Sequence, residues 1–217
     1  MINTHCNWNG LSSPARVNLR QMAWVLTIAL LALGLNGNVK AANLPTPAGD
    51  KQCPALLDHQ FQRLQDEKPV SLCSFKGQVL LVVNTASYCG FTGQYEELEQ
   101  LQRQYSAKGF NVLGFPSNEF GKQEPKSNKE IAEFCNNTFG VKFPMFAKSS
   151  VKGDQANPLY KQLTKATGEQ PGWNFHKYLI DRNGKVVGTF KSGVSPQSPE
   201  ITQAIRRALD AHPITEQ

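Results

Sequence analysis

GQVLLVVNTASYCGFTGQYEEL (residues 77–98) changes period halfway along. Its first part, GQVLLVVN at 77–84, is a short run rich in β-branched residues, bounded by glycine and polar residues. Such a run fits a strand buried on both faces and therefore central in a sheet. The next segment, GQYEELEQLQRQYSAKG, places Leu98, Leu101 and Tyr105 at helical spacing and stops at Gly109, a C-terminal cap. Between strand and helix stands Cys89, with no second cysteine four residues upstream or three downstream.

Outward from this stretch, NVLGFPS (111–117) is another short apolar strand, so strand, helix and strand succeed one another within about 40 residues, as a parallel crossover requires. A second helix is announced by Ser127-Asn128-Lys129-Glu130, a capping box in which Ser127 and Glu130 each satisfy a backbone N–H. It carries Ile131, Phe134 and Cys135, and the run Asn136-Asn137-Thr138 predicts a weak end. FPMFAK (143–148) reads as a third strand, and NPLYKQLTKAT (157–167) as a short helix opened by Asn157 with Pro158 in its first turn. In HKYLIDRNGKVVGTFKS (176–192), apolar alternation flanks Asn183-Gly184, a pair suited to a primed hairpin turn. A last helix from Pro199 places Ile201, Ile205, Ala208 and Leu209 on one face and turns Arg206 and Arg207 to water. A βαβ unit thus leads to a ββα unit. That order is compatible with an α/β, thioredoxin-like fold: a central mixed β-sheet flanked by helices, here with an N-terminal extension.

The chain has 217 residues, which suits one domain with a sizeable core. Residues 1–41 read differently. Arg16 and Arg20 precede the apolar stretch MAWVLTIALLALGL (22–35), and Val39-Lys40-Ala41 offers small residues where a signal peptidase cuts. The alternative, a membrane anchor, needs about 20 apolar residues to span a bilayer; this stretch has 14. A cleaved export signal is expected, followed by a mobile, proline-rich segment at 42–52 and a domain at 53–212, with the periplasm as destination. Removing residues 1–41 takes away Arg16, Arg20 and Lys40 and no acid, which lowers the formal charge from +6 to +3. The remaining charge is scattered, with no cluster of Lys and Arg among aromatics, so neither nucleic acid nor a stable membrane association is expected. Cys6 leaves with the signal. Cys53, Cys73, Cys89 and Cys135 remain, an even number that permits disulfides in an exported chain, with three possible connectivities.

A cysteine at a strand-to-helix junction lies where unpaired N–H groups and the positive end of the helix dipole stabilise negative charge. The thiolate is the nucleophile, so such a sulfur is expected to react near neutral pH, whereas a thiol enclosed by side chains is an inert small hydrophobe. A dithiol oxidoreductase needs a second cysteine three residues on, where Thr92 stands, so CxxC chemistry is excluded at this site. What remains is a one-cysteine nucleophile resolved by a thiol from elsewhere. Peroxide is its natural electrophile: attack on the O–O bond gives a sulfenic acid and expels an alkoxide or hydroxide, whose charge needs nearby hydrogen-bond donors.

VNTASYCGFT, LGFPSNEFGKQEP and WNFHKYLID resemble the three signature segments of the glutathione peroxidase family, and the likeness runs from about Leu72 to the end of the last helix. The resemblance implies a thioredoxin-like fold and reduction of hydrogen peroxide and organic hydroperoxides. It further implies no bound cofactor, and glutathione or a thioredoxin-like dithiol protein as the reducing co-substrate. It also implies a catalytic tetrad, carried here by Cys89, Gln123, Trp173 and Asn174. The last three offer amide or indole N–H groups to the sulfur or the peroxide oxygens. Taken singly, they also read as a loop residue, a packing aromatic and a turn residue; inside matched motifs they read together. The chain resembles a non-selenium member, with cysteine where the best-known animal members use selenocysteine, which implies slower turnover with glutathione. The short segment between Leu163 and Trp173 lacks a longer insertion that the resemblance links to tetramers, implying a monomer.

Cys135 looks like the resolving position of the thioredoxin-dependent branch of that family. A Cys89–Cys135 disulfide is then expected to require the second helix to loosen, because bridged Cα atoms approach within about 7 Å; the alternative is a cysteine that only fills the buried helix face. Cys53 and Cys73 precede the motifs, and a bond between them closes a loop that is expected to stabilise the domain by roughly 3 kcal/mol. They read as a structural disulfide, with a second redox pair as the alternative. His59, His176 and His212 lack ligand partners at metal-binding spacing, and His176 reads as strand surface without a role. Two rival functions stand beside the peroxidase: a peroxide sensor or relay that hands its oxidation to a partner protein, and a non-enzymatic binding module on the same scaffold.

Overall fold

The computed structural model describes residues 52–211. The export signal at 1–41, Cys6, all but the last residue of the segment at 42–52, and His212 lie outside the described residues.

A small antiparallel hairpin comes first, β1 (Gln60–Gln62) against β2 (Pro69–Ser71). Strand β3 (Val79–Thr85), helix α1 (Gln94–Tyr105) and strand β4 (Phe110–Pro116) follow, then helices α2 (Asn128–Phe139) and α3 (Pro158–Thr167). The hairpin β5 (Lys177–Ile180) and β6 (Val186–Phe190) leads to α4 (Pro199–Asp210). The main sheet runs β4-β3-β5-β6; β3 is parallel to β4 across the α1 crossover and antiparallel to β5. This is a thioredoxin-like fold with a mixed sheet flanked by helices. Every residue of β3 is buried, as its uninterrupted apolar run requires. Val79, Leu81 and Val83 join Leu98 and Leu101 of α1, Ile131 of α2 and Ile201 and Ile205 of α4 in one cluster. Each such side chain contributes about 1.5–3 kcal/mol by leaving water. On the other face, Phe115 of β4 packs on Phe61, Phe146 and Tyr160 of α3.

Cys53 and Cys73 are bonded, with Cα atoms 5.5 Å apart and 20 residues between them in sequence. The bond ties the turn at Ala55–Leu57 to the turn at Leu72–Phe75 and leaves Cys89 and Cys135 outside any disulfide.

Three local expectations are corrected. Residues 143–148 make only isolated bridges, Met145 with Gly114 and Phe146 with Arg63. Pro144 has no N–H for a ladder, and beyond Ala147 the Lys148 N–H turns aside to Asn128 Oδ1 at 2.9 Å, so pairing stops after one residue on each side. The β5–β6 turn is not primed: only Gly184 takes a left-handed φ, of 78°. Its N–H donates to Asp181 O at 3.0 Å and the Asp181 N–H to Lys185 O at 2.9 Å, a three-residue loop closed by a glycine bulge. Asp181 Oδ1 also accepts from the Asn183 and Lys185 amides, both at 2.9 Å, and so favours that loop. The end of α2 is firm rather than weak. Gly140, at φ 60°, donates to Asn136 O, and the Val141 N–H returns to Cys135 O at 3.1 Å. The capping box at Ser127 and Glu130 is present as expected.

Candidate active site

Cys89 lies four residues past β3, in overlapping turns that lead into α1. The Thr92 N–H donates to Cys89 O at 3.1 Å, the Gln94 N–H to Phe91 O at 2.9 Å and the Tyr95 N–H to Thr92 O at 3.0 Å. The chain is therefore wound before the helix begins, and the cap residue Gly93 has helical dihedrals and supplies no capping side chain. The Phe91 N–H, at this helix entrance, donates to Cys89 Sγ at 3.5 Å. Cys89 is buried, with Tyr88 and Phe91 exposed on either side of it.

Gln123 arrives from the loop between β4 and α2. Glu119 ties that loop down by accepting from the Val151 N–H at 2.6 Å and the Lys152 N–H at 3.2 Å, and Asn118 Oδ1 accepts from the Glu124 N–H at 2.9 Å. Two left-handed residues, Gly121 at φ 61° and Lys122 at φ 54°, turn the chain so that Gln123 O accepts from the Tyr88 N–H at 3.0 Å. A non-glycine residue in this conformation costs about 1–2 kcal/mol, which the surrounding bonds must offset.

Trp173 and Asn174 are set by Asn84, a buried polar residue inside β3. Asn84 Nδ2 donates to Trp173 O at 3.0 Å and Asn84 Oδ1 accepts from the His176 N–H at 3.0 Å. The Phe175 N–H donates to Asn84 O at 2.6 Å, and Phe175 is itself left-handed at φ 62°. Asn174 Nδ2 then donates to Gln123 Oε1 at 2.9 Å, which leaves the Gln123 amide nitrogen available as a donor. The indole of Trp173 lies 5.9 Å from the Phe120 ring, and a Cβ added to Gly121 would sit 3.4 Å from its Cη2. Gln123, Trp173 and Asn174 thus meet, and the Tyr88 bond joins them to the cysteine loop. Cys135, on α2, is buried in the same cluster as Cys89.

Sequence reasoning gave Asn84 no role, although an asparagine closing the run VLLVVN is the signal for it. It also missed Glu124 and Lys177. Glu124 is fully buried, accepts from Ser87 Oγ at 2.9 Å, and burial pushes its carboxyl up against the opposing Ser87 bond. Lys177 is fully buried, donates to Val194 O at 2.6 Å and Ser192 O at 3.3 Å, and burial lowers its pKa to about 7. His176 is corrected: it is not strand surface but 2% exposed, with Nε2 2.9 Å from Thr189 Oγ1 and its ring 4.7 Å from that of Tyr178. Burial lowers its pKa to about 4, so it is neutral at pH 7. Among the described residues, one group of potential metal-ligand atoms gathers, Cys53, Asp58 and Cys73, and its two sulfurs are bonded to each other. No helix of the described residues is long and apolar enough to cross a membrane.

The family model for "Glutathione peroxidase" matches residues 57–164. Glutathione peroxidase 7 of Bos taurus is 50% identical over 145 residues, which cover 65% of this chain and 78% of that one. The Thioredoxin/glutathione peroxidase BtuE of Escherichia coli is 40% identical over 168 residues, 66% of this chain and 92% of that one. The crystal structure of "Trgpx in apo form" superposes with a TM-score of 0.59 at 38% identity, over 72% of this chain and 95% of that one. At 50% identity over 78% of that bovine relative, and with the family model matching as well, the chain belongs to the glutathione peroxidase family and is a thiol-dependent peroxidase.

Proposed function

We propose that Cys89 is the nucleophile that attacks peroxide, assisted by the N–H groups of Gln123, Trp173 and Asn174. One observation carries this reading: the hydrogen-bonded junction in which the Tyr88 amide meets Gln123 and Asn174 Nδ2 meets Gln123 Oε1, so that three distant segments converge beside one thiol. In the first step the Cys89 thiolate forms an S–O bond as the O–O bond breaks. The sulfur is oxidised to sulfenic acid, the peroxide is reduced, and the expelled alkoxide or hydroxide takes a proton to leave as alcohol or water. Uncharged donors suit this task because they stabilise the departing charge without competing for the proton.

In the second step the Cys135 thiolate attacks Cys89 Sγ. The S–S bond forms, the S–O bond breaks, and the departing hydroxide takes up the proton that the Cys135 thiol released, giving water. A thiol reductant then reopens the disulfide. The thioredoxin/glutathione peroxidase among the relatives supports a thiol co-substrate of either kind in that role, glutathione or a thioredoxin-like dithiol protein. The mature chain is a monomeric domain at 53–212, released from an export signal at 1–41 into the periplasm; the basic, apolar and small-residue regions of that segment support this.

The test is mass spectrometry of peroxide-treated protein after proteolysis. Wild type is expected to carry a Cys89–Cys135 link, and Cys135→Ser a sulfenic acid or higher oxide on Cys89. An unmodified Cys89 in both proteins overturns the reading.

A further inference from the structure

Tyr95, in the first turn of α1, sits in the sealed space between β3, α1 and α2 and has no part in the steps above. It is fully buried, with its ring between Phe139 of α2 at 5.3 Å and Phe175 at 5.2 Å, the latter edge-on. Its hydroxyl lies beside the Cys135 thiol and the Thr85 hydroxyl, close enough for both to bear on its proton. Yet neither the Tyr95 oxygen nor Thr85 Oγ1 completes a hydrogen bond. Two buried hydroxyls left without partners are a cost that native interiors avoid unless something is gained. Both lie in the pocket that holds Cys135.

We propose that Tyr95 is the positioning residue of the resolving thiol: its hydroxyl donates to the Cys135 sulfur as that sulfur becomes a thiolate, while the Thr85 hydroxyl donates to the Tyr95 oxygen behind it. This rests on the reading of Cys135 as the resolving cysteine. Burial first, and negative charge at Cys135 second, push the Tyr95 phenol well above its ordinary range, so it keeps its proton and remains a donor. The Thr85 contact acts in the opposite direction, as a donor to the phenol oxygen does. The chain of donors thus points from β3 through α1 to α2. When Cys135 ionises, its proton leaves with the hydroxide displaced from Cys89, and the phenol is neither oxidised nor deprotonated.

Other titratable groups stand on the elements around Cys135, and Glu124 also bears on the Tyr95 phenol. Glu99 of α1 accepts from the Lys142 N–H at 2.8 Å and the Phe143 N–H at 3.2 Å and pairs with Arg103. Glu124 accepts from Ser87, with Lys126 and Lys148 within electrostatic reach. Lys129, Glu130 and Glu133 lie on α2 itself and are not among its buried residues. Cys89 shares the cluster and is oxidised before the step in question.

Rapid mixing with peroxide across pH 5.5 to 9, with quenched samples read for sulfenic acid and disulfide, separates the two steps. Oxidation of Cys89 in the same traces is the reference for peroxide attack. In Tyr95→Phe, which keeps both ring contacts, the pH midpoint of disulfide formation is expected to rise by about 1 unit, with about tenfold slowing below it. Thr85→Val is expected to move the midpoint the same way by less. A role in packing alone changes the rate by one factor at every pH. That outcome, or an unchanged profile, overturns the proposal while leaving the Cys89–Cys135 disulfide intact. Failure of wild type to form that disulfide removes this proposal and the resolving role together.

Discussion

Cys53 and Cys73 are bonded to each other at half-buried positions, the first just ahead of one short turn and the second within another, whereas Cys89 and Cys135 are buried in one apolar cluster and stay outside any disulfide. The first pair constrains the chain ahead of the sheet, where turns of three and four residues bury few side chains of their own. The second pair is held by packing, which can be released and restored without breaking a covalent bond. On the proposed reading, burial separates two thiols that react in sequence, while a covalent link fixes the pair ahead of the sheet.

The largest effect expected is on the buried pair. Cys89→Ser should lower peroxide consumption by a thousandfold or more, on the order of what loss of a catalytic nucleophile costs, while the Cys53–Cys73 bond is unaffected in a thiol count. Peroxide turnover surviving in that variant would break the contrast. The edge pair should show the reverse pattern. Replacing both residues, Cys53→Ser with Cys73→Ser, is expected to cost roughly 3 kcal/mol in denaturant unfolding and to leave the rate of Cys89 oxidation unchanged. A parallel fall in turnover would instead make these cysteines a second redox couple.

The smallest effect sharpens the same contrast between covalent and packed parts. His176 has a folded pKa of about 4, below its ordinary 6.5, so the unfolded chain binds more protons between those values. Its contribution is therefore present above pH 6.5 and lost as pH falls toward 4. His176→Gln is expected to flatten the stability profile in that window and to leave its slope between pH 7 and 8 unchanged. The readout is the urea midpoint at each pH, and an unaltered acid slope would remove the assignment.

Much of this architecture was legible because local signals agreed with the tertiary result. The run at 77–84 has to be central, the capping box at Ser127 fixes where α2 begins, and the alternation around Asn183-Gly184 has to pair. Legibility ended where a partner decides the outcome. The hairpin of β1 and β2 has three residues per strand and no period to read, and its Phe61 matters only because Phe115 and Phe146 receive it. Residues 143–148 have strand composition, but Pro144 and the diversion of Lys148 to Asn128 end the pairing. At the site, the three motifs named Cys89, Gln123, Trp173 and Asn174, but not Asn84, whose importance depends on residues some 90 positions away meeting it.

Under the proposed cycle, Asn84 would also separate what stays still from what moves. Its bonds end on Trp173, Phe175 and His176, so the donor segment takes its coordinates from the central strand and not from α2. If α2 swings out to deliver a second sulfur, the cradle for the next oxidant molecule does not have to be rebuilt when the helix returns. The rate of recovery between turnovers then reflects helix redocking alone, and warming should accelerate that recovery until the sheet itself gives way.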